Sequence, residues 1–247
     1  MCRMLVRITK TPRNVSFALL KRFVVNCRWG DRMVQDYLGH HNLGWGVAWL
    51  DAEDRIHAKR SLDPIWNSDW EALTKLKTKC FVMHARFALP WQKKMADVHP
   101  ITIEGRKFLC HNGLVPLDAF PPLGHDKWKE IAENNTMDTR RYLLSILDSE
   151  ARNPQILLRE NLVSVLSEIT TGLSANIILL AKKRVYIAQH HHTNLFKKYN
   201  FDLRYHKTSD GVLISSAPLF TPNRRIPNHT LITYDFRKNQ FSVDKIE

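Results

Sequence analysis

The spacing of apolar side chains predicts most of the elements. Residues 1–8 alternate weakly between apolar and polar, which predicts a first strand. Residues 15–26 carry apolar side chains at 17, 19, 20, 23 and 24, the one-sided spacing of a helix. Residues 44–50 read as a strand, 51–54 as its turn and 55–59 as the return strand of a hairpin. A helix is predicted over 69–77, capped by Asn67 or Ser68. The run Cys80-Phe81-Val82-Met83 predicts a buried strand over 79–86, and 107–111 a shorter one ending at the turn dipeptide Asn112-Gly113. Residues 138–148 are amphipathic and helical, with Asp138 at the entrance and Tyr142, Leu143, Leu144, Ile146 and Leu147 on the apolar side. A second long helix covers 161–170. A hairpin follows over 175–180 and 184–188, then strands near 212–216, 230–235 and 240–244. Strands and helices in blocks, with hairpins, no repeat and no linker, favour antiparallel sheets covered by helices over a βαβ chain.

Composition narrows the class. A chain of 247 residues is one large domain or two small ones at about 150 residues each, and it can bury a full core without staples. The most nearly apolar run, 175–181, holds Asn176 and falls far short of the ~20 residues of a membrane helix. No apolar stretch of signal-peptide length opens the chain, so the expectation is a soluble, cytoplasmic protein. The net charge of +13 invites a nucleic-acid or acidic partner. The bases, however, fall in short scattered clusters such as Lys182-Lys183-Arg184 and Arg224-Arg225, with no tail or basic helix, and a solvated basic surface is the simpler expectation. The four cysteines, Cys2, Cys27, Cys80 and Cys110, have no CxxC spacing, which argues against a zinc knuckle or a disulfide scaffold. Cys80 and Cys110 lie in apolar runs and read as core thiols. Cys2 would become residue one if the initiator Met1 were removed. Three adjacent histidines, His190, His191 and His192, seldom converge on one ion because neighbouring side chains point different ways, so no metal and no cofactor is expected.

Five pieces carry chemistry together: Met1-Cys2-Arg3, the run from His41-Asn42 to Gly44-Trp45-Gly46, His84-Ala85-Arg86, His99-Pro100 with His111-Asn112-Gly113, and Asp138-Thr139. Each is weak alone: Asn-Gly is usually a turn, and Asp138 is an adequate helix cap. In this order and spacing they resemble the glutaminase domain of the class II glutamine amidotransferases, within the N-terminal nucleophile hydrolases. Leu173-Ser174-Ala175-Asn176 and Ile214-Ser215-Ser216-Ala217-Pro218-Leu219 match the same family's second half. The resemblance covers nearly the whole chain. It implies a single domain over 1–247 and an α+β fold, a four-layer αββα sandwich of two mainly antiparallel sheets covered by helices.

A carboxamide is a poor electrophile, so cutting one requires a strong nucleophile, a proton shuttle and an oxyanion site. A cysteine at the chain start provides the first two: its α-amine, with a reference pKa of ~7.7–8, can take the thiol proton and later give it to departing ammonia. The resemblance makes Cys2 the nucleophile through a thioester, and Asn112 and Gly113 the oxyanion donors. It makes Arg86 the partner of a substrate α-carboxylate and Asp138 the anion for its α-ammonium. Gly44, Trp45, Gly46, Phe87 and His111 would shape the site, with Trp45 a core residue, and His99 and His111 are expected to make structural hydrogen bonds.

The match departs at several positions. Leu89 stands where relatives commonly have a Thr, Arg140 where they have an acid, and Ala217 where they have Glu; the usual Gly-Tyr after the nucleophile is missing. Three functions follow. One is a stand-alone subunit that releases ammonia from glutamine for a synthase partner. A second is an amidohydrolase acting on a small γ-glutamyl compound. The third is an inactive binding protein of the same fold. The expected partners are a small-molecule substrate and a synthase subunit, with neither membrane nor nucleic acid.

Overall fold

In a computed structural model of the chain, residues 2–30, 41–87, 93–192 and 201–247 are described. The strands are β1 (Arg3–Asn14), β2 (Trp45–Leu50), β3 (Ile56–Ser61), β4 (Lys77–Ala85), β5 (Lys107–Leu114), β6 (Ser174–Ala181), β7 (Arg184–Gln189), β8 (Arg204–Lys207), β9 (Gly211–Ser215), β10 (Arg224–Arg225), β11 (Thr230–Asp235) and β12 (Gln240–Lys245). The α-helices among the described residues are α1 (Phe17–Trp29), α2 (Asp126–Glu133), α3 (Asp138–Arg152) and α4 (Leu158–Glu168). One sheet has the order β10-β8-β9-β1-β4-β2-β3, the other β12-β11-β7-β6-β5. Every strand pairing in them is antiparallel.

Alternation along the strands creates the layers. Met4, Val6 and Ile8 of β1 and Val82 of β4 meet Phe108, Cys110, Ile178 and Leu180 of the other sheet in a buried cluster. The opposite face of the seven-stranded sheet, with Leu5, Val47, Phe81 and Met83, is covered by Leu19, Leu20, Phe23, Val24 and Cys27 of α1. That spacing is one helical stripe. Ser16 starts α1 by accepting the Leu19 N–H at 3.4 Å. The outer face of the five-stranded sheet, with Leu109, Ile177 and Leu179, is covered by Leu143, Ile146 and Leu147 of α3 and by Leu162 and Leu166 of α4. At ~1.5–3 kcal/mol for each buried aliphatic side chain, these three clusters hold the four layers, αββα, together.

Three expectations are corrected. Residues 69–77 are not an α-helix. A 3-10 turn over Glu71–Lys75 stands there, with Asp69 Oδ1 taking the Ala72 N–H at 3.3 Å in place of a cap from Asn67 or Ser68. The chain is pulled straight from Lys77 onward because Lys77 and Thr78 pair with Asn14 and Arg13 of β1, so a longer helix has no room. Asn112-Gly113 is not a turn: β5 continues through it, pairing Asn112 with Asn176 and Gly113 with Ala175. Asp138 is not the cap of α3 but its first residue, after Met137. The helix α2 and the short strands β8 and β10 were not expected; α2 packs Trp128, Ile131 and Ala132 against the core but spans only eight residues.

Candidate active site

Strand register brings the five sequence pieces to one end of the sandwich. Arg3 pairs with Ala85, and Trp45 also pairs with Ala85, so the residue before β1 meets the residues after β4. From the facing sheet, alternation along β5 turns Cys110 inward and Leu109 toward the helices. Asn112 therefore faces the start of β1 and His111 faces the start of α3.

Cys2 is partly exposed. Its backbone N–H donates to Asn112 Oδ1 at 3.0 Å, and the Phe87 N–H donates to its Sγ at 3.4 Å. Burial pushes the thiol pKa up, opposed by the Phe87 N–H and the Arg86 guanidinium; Asp138 adds to the rise. The next residues are held fast. Arg3 Nε donates to Asn26 Oδ1 at 2.8 Å, and the Met4 N–H donates to Ser216 Oγ at 2.9 Å. Ser216 also lies 3.5 Å from the Cys2 carbonyl.

Asn112 is 1% exposed. Its oxygen is occupied by Cys2, while its Nδ2 is buried with no hydrogen-bond partner. A buried amide N–H without a partner costs about 1–3 kcal/mol. At Gly113 a Cβ would collide with the Ser174 carbonyl of β6; here glycine permits two strands to approach, a constraint of packing.

Arg86 is buried, with Nη2 3.8 Å from Asp97 Oδ2. Its backbone N–H donates to the Gly44 carbonyl at 2.8 Å, and Gly44 holds φ +101°, a conformation suited to glycine. A Cβ at Gly46 would strike the His99 carbonyl. Trp45 turns away from the site into the α1 cluster, its indole N–H donating to Ser68 Oγ at 2.9 Å. Asp138 Oδ2 accepts the Val115 N–H at 3.2 Å and Oδ1 the Thr139 N–H at 2.6 Å. Arg140 donates to the Ala96 carbonyl at 2.7 Å. Ala217 is buried beside Leu5. Leu89 and Met1 lie outside the described residues.

Beneath these groups His84, His99 and His111 are all buried. His84 stacks on His99 at 4.1 Å. His84 Nε2–H donates to the His111 carbonyl at 3.1 Å, and His111 Nε2–H to the Ser174 carbonyl at 3.1 Å. Burial lowers the His84 pKa to about 3 and holds His99 well below its usual range. Sequence reasoning gave Thr139 no role of its own; its hydroxyl joins two of these rings, lying 3.0 Å from His99 Nε2 and 3.2 Å from His111 Nδ1. A lone Thr after an Asp carries no local signal of such a role. In the separate run after β7, His190 Nδ1 is 2.9 Å from His229 Nδ1. Among the described residues no group of three or more His, Cys, Asp or Glu is placed to hold a metal ion, and no helix is long and apolar enough to cross a membrane.

Neither a family model nor a curated protein matches the sequence. Solved structures do match the fold. The glutamine phosphoribosylpyrophosphate amidotransferase from B. subtilis, complexed with ADP and GMP, matches over 100% of this chain with a TM-score of 0.66 and 15% identity. This chain spans 49% of that enzyme, about half its length. A glutamine aminotransferase class-II domain protein from Silicibacter pomeroyi matches over 99% of both chains, with a TM-score of 0.62 and 15% identity. A predicted glutamine amidotransferase from Pseudomonas aeruginosa PA01 matches over 97% of this chain and 94% of its own, with a TM-score of 0.56 and 13% identity. At these identities the likeness establishes the fold: this chain has the αββα sandwich of class II glutamine amidotransferase domains, an N-terminal nucleophile hydrolase fold.

Proposed function

We propose that this chain cleaves the side-chain amide of glutamine through Cys2 and releases ammonia, after removal of Met1. With Met1 attached the Cys2 nitrogen is an amide and takes no proton near neutral pH. Freed, it is an amine of pKa near ~7.7–8 that accepts the thiol proton. The thiolate sulfur then attacks the amide carbon, and the carbonyl electron pair moves to oxygen. The Asn112 Nδ2–H and the Gly113 N–H stabilise that oxyanion. Collapse breaks the C–N bond; the ammonium of Cys2 gives its proton to the leaving nitrogen, and ammonia departs from a thioester. Water, deprotonated by the same amine, releases glutamate. Arg86 binds the α-carboxylate in a two-pronged contact and Asp138 the α-ammonium, a pair that favours a free amino acid over a peptide. The ammonia passes to an acceptor on a synthase partner subunit.

The observation that carries this reading is the Asn112 side chain: its oxygen accepts the Cys2 backbone N–H, and its own buried N–H is left without a partner. Buried donors are normally paired, and one kept unpaired at a nucleophile fits a developing oxyanion. The test is ammonia release from glutamine and, in parallel, from γ-glutamyl dipeptides, by protein shown by intact mass to begin at Cys2. Release from glutamine, lost in Cys2→Ala with the melting temperature unchanged, supports the proposal. Cleavage of γ-glutamyl dipeptides alone would point to the amidohydrolase reading, and no cleavage of either would leave a binding protein of this fold.

A further inference from the structure

The hydroxyl of Thr139 stands at the junction of two buried histidines and the half-buried Asp138. It is 3.0 Å from His99 Nε2, 3.2 Å from His111 Nδ1 and 3.2 Å from Asp138 Oδ1. Thr139 itself is 1% exposed, so its hydroxyl and the two histidine nitrogens depend on one another and on Asp138 for partners. The proton count can be worked through. His111 Nε2 faces a carbonyl and must donate, which makes its Nδ1 an acceptor. His99 Nδ1 is buried without a partner. A ring that leaves a lone pair unpaired is less costly than one that leaves an N–H unpaired, so His99 carries its proton on Nε2 and donates to Thr139 Oγ1. The Thr139 proton is then free to point at either His111 Nδ1 or Asp138 Oδ1.

We propose that Thr139 is a positioning residue for substrate binding: its hydroxyl, held by the His99 N–H, donates to Asp138 Oδ1, the charged one of its two acceptors, and so fixes the carboxylate for the substrate α-ammonium. The proposal rests on the reading of Asp138 given above. Without the hydroxyl, Asp138 Oδ1 keeps only the Thr139 backbone N–H at 2.6 Å, and the carboxylate loses one of the contacts that fix its direction. The thiol and the oxyanion donors are not part of this junction. The Cys2 contacts run to Asn112 and Phe87, on the other face of β5. Loss of Thr139 therefore acts on recognition of one charged end of the substrate and not on bond cleavage.

The test compares two substrates: glutamine, and the monoamide of glutaric acid, which is glutamine without its α-amine. For Thr139→Val the expected result is a KM for glutamine raised about tenfold, the size of one hydrogen bond to a charged group. Its kcat stays within about threefold, and the KM for the monoamide is unchanged. Thr139→Ser, which keeps the hydroxyl, restores the glutamine KM. If the valine variant does not fold, Thr139→Ala gives the same comparison. An equal rise in KM for both substrates, a fall in kcat alone, or no change overturns the proposal. Asp138→Asn separates the two levels of argument. If it raises the glutamine KM while Thr139→Val is silent, the Thr139 role fails alone; if it leaves that KM unchanged, the reading of Asp138 fails and takes the Thr139 role with it.

Discussion

Replacing Asn112 by Ala separates a catalytic asparagine from a structural one, because the two roles predict opposite balances of activity and stability. The substitution removes one hydrogen bond, Cys2 N–H to Oδ1 at 3.0 Å, whose net worth is ~0.5–1.5 kcal/mol. It also removes a buried N–H that has no partner and that burdens the folded chain by ~1–3 kcal/mol. The two effects oppose each other, so the net change in stability is within about 1 kcal/mol, or roughly 2–4 °C in Tm for a chain of this size. The oxyanion role predicts something much larger for the reaction: loss of one donor lowers kcat by ~10²–10³. The assay is ammonia release at saturating glutamine, with thermal melts of the same preparations. A Tm lowered by more than ~8 °C with kcat within about threefold of the parent would make Asn112 a structural residue and refute the assignment.

Other perturbations probe the rest of the site. Arg86→Lys replaces a planar fork by a point charge, so KM for glutamine should rise about tenfold or more; an unaltered KM removes Arg86 from substrate binding. Gly113→Ala drives a Cβ into the Ser174 carbonyl, and overpacking of ~1–3 kcal/mol should lower Tm by roughly 5–10 °C; an unchanged Tm would mean the strands part without strain. His84, with its pKa lowered to about 3, and His99, also lowered, bind fewer protons folded than unfolded. Their contribution to stability is therefore complete above pH ~6.5 and lost as pH falls toward 3, by about 2–3 kcal/mol at pH ~4.5 for His84 alone. A Tm that is flat between pH 7 and 4.5 would contradict their neutral burial.

The fold was legible where one face of an element meets one layer. The stripe of Leu19, Leu20, Phe23, Val24 and Cys27 and the apolar side of α3 follow helical spacing, and both are the faces that the structure buries. Legibility failed where long-range pairing overrode a local preference. Asn112-Gly113 has the composition of a turn, yet pairing with β6 keeps it extended, and no neighbour in sequence reports that pairing. Residues 69–77 have helical composition, but the register of β4 on β1 decides where the chain must straighten. The outer half of β1, residues 9–14, is mostly exposed and lacks the pattern that would have extended the predicted strand.

The candidate site obeys a different rule. Its groups come from the chain start, the end of β4, the end of β5 and the first residue of α3, so no periodicity links them; only the order of motifs shared with a known family does. What sequence order leaves out is the direction in which each group is held. Asn112 and His111 are adjacent in the chain but serve opposite faces of β5, one toward Cys2 and the other toward Thr139. The candidate site is therefore two half-sites that share a strand: the Cys2 thiol with the unpaired Asn112 N–H on the inter-sheet side, and the Asp138 carboxylate with Thr139 and His111 on the helix side. A glycine at 113, where any side chain would strike β6, keeps the shared strand close enough to its neighbour for both halves to be buried. That geometry makes the two halves separately breakable, which is why a change at Thr139 should alter KM, and one at Asn112 kcat.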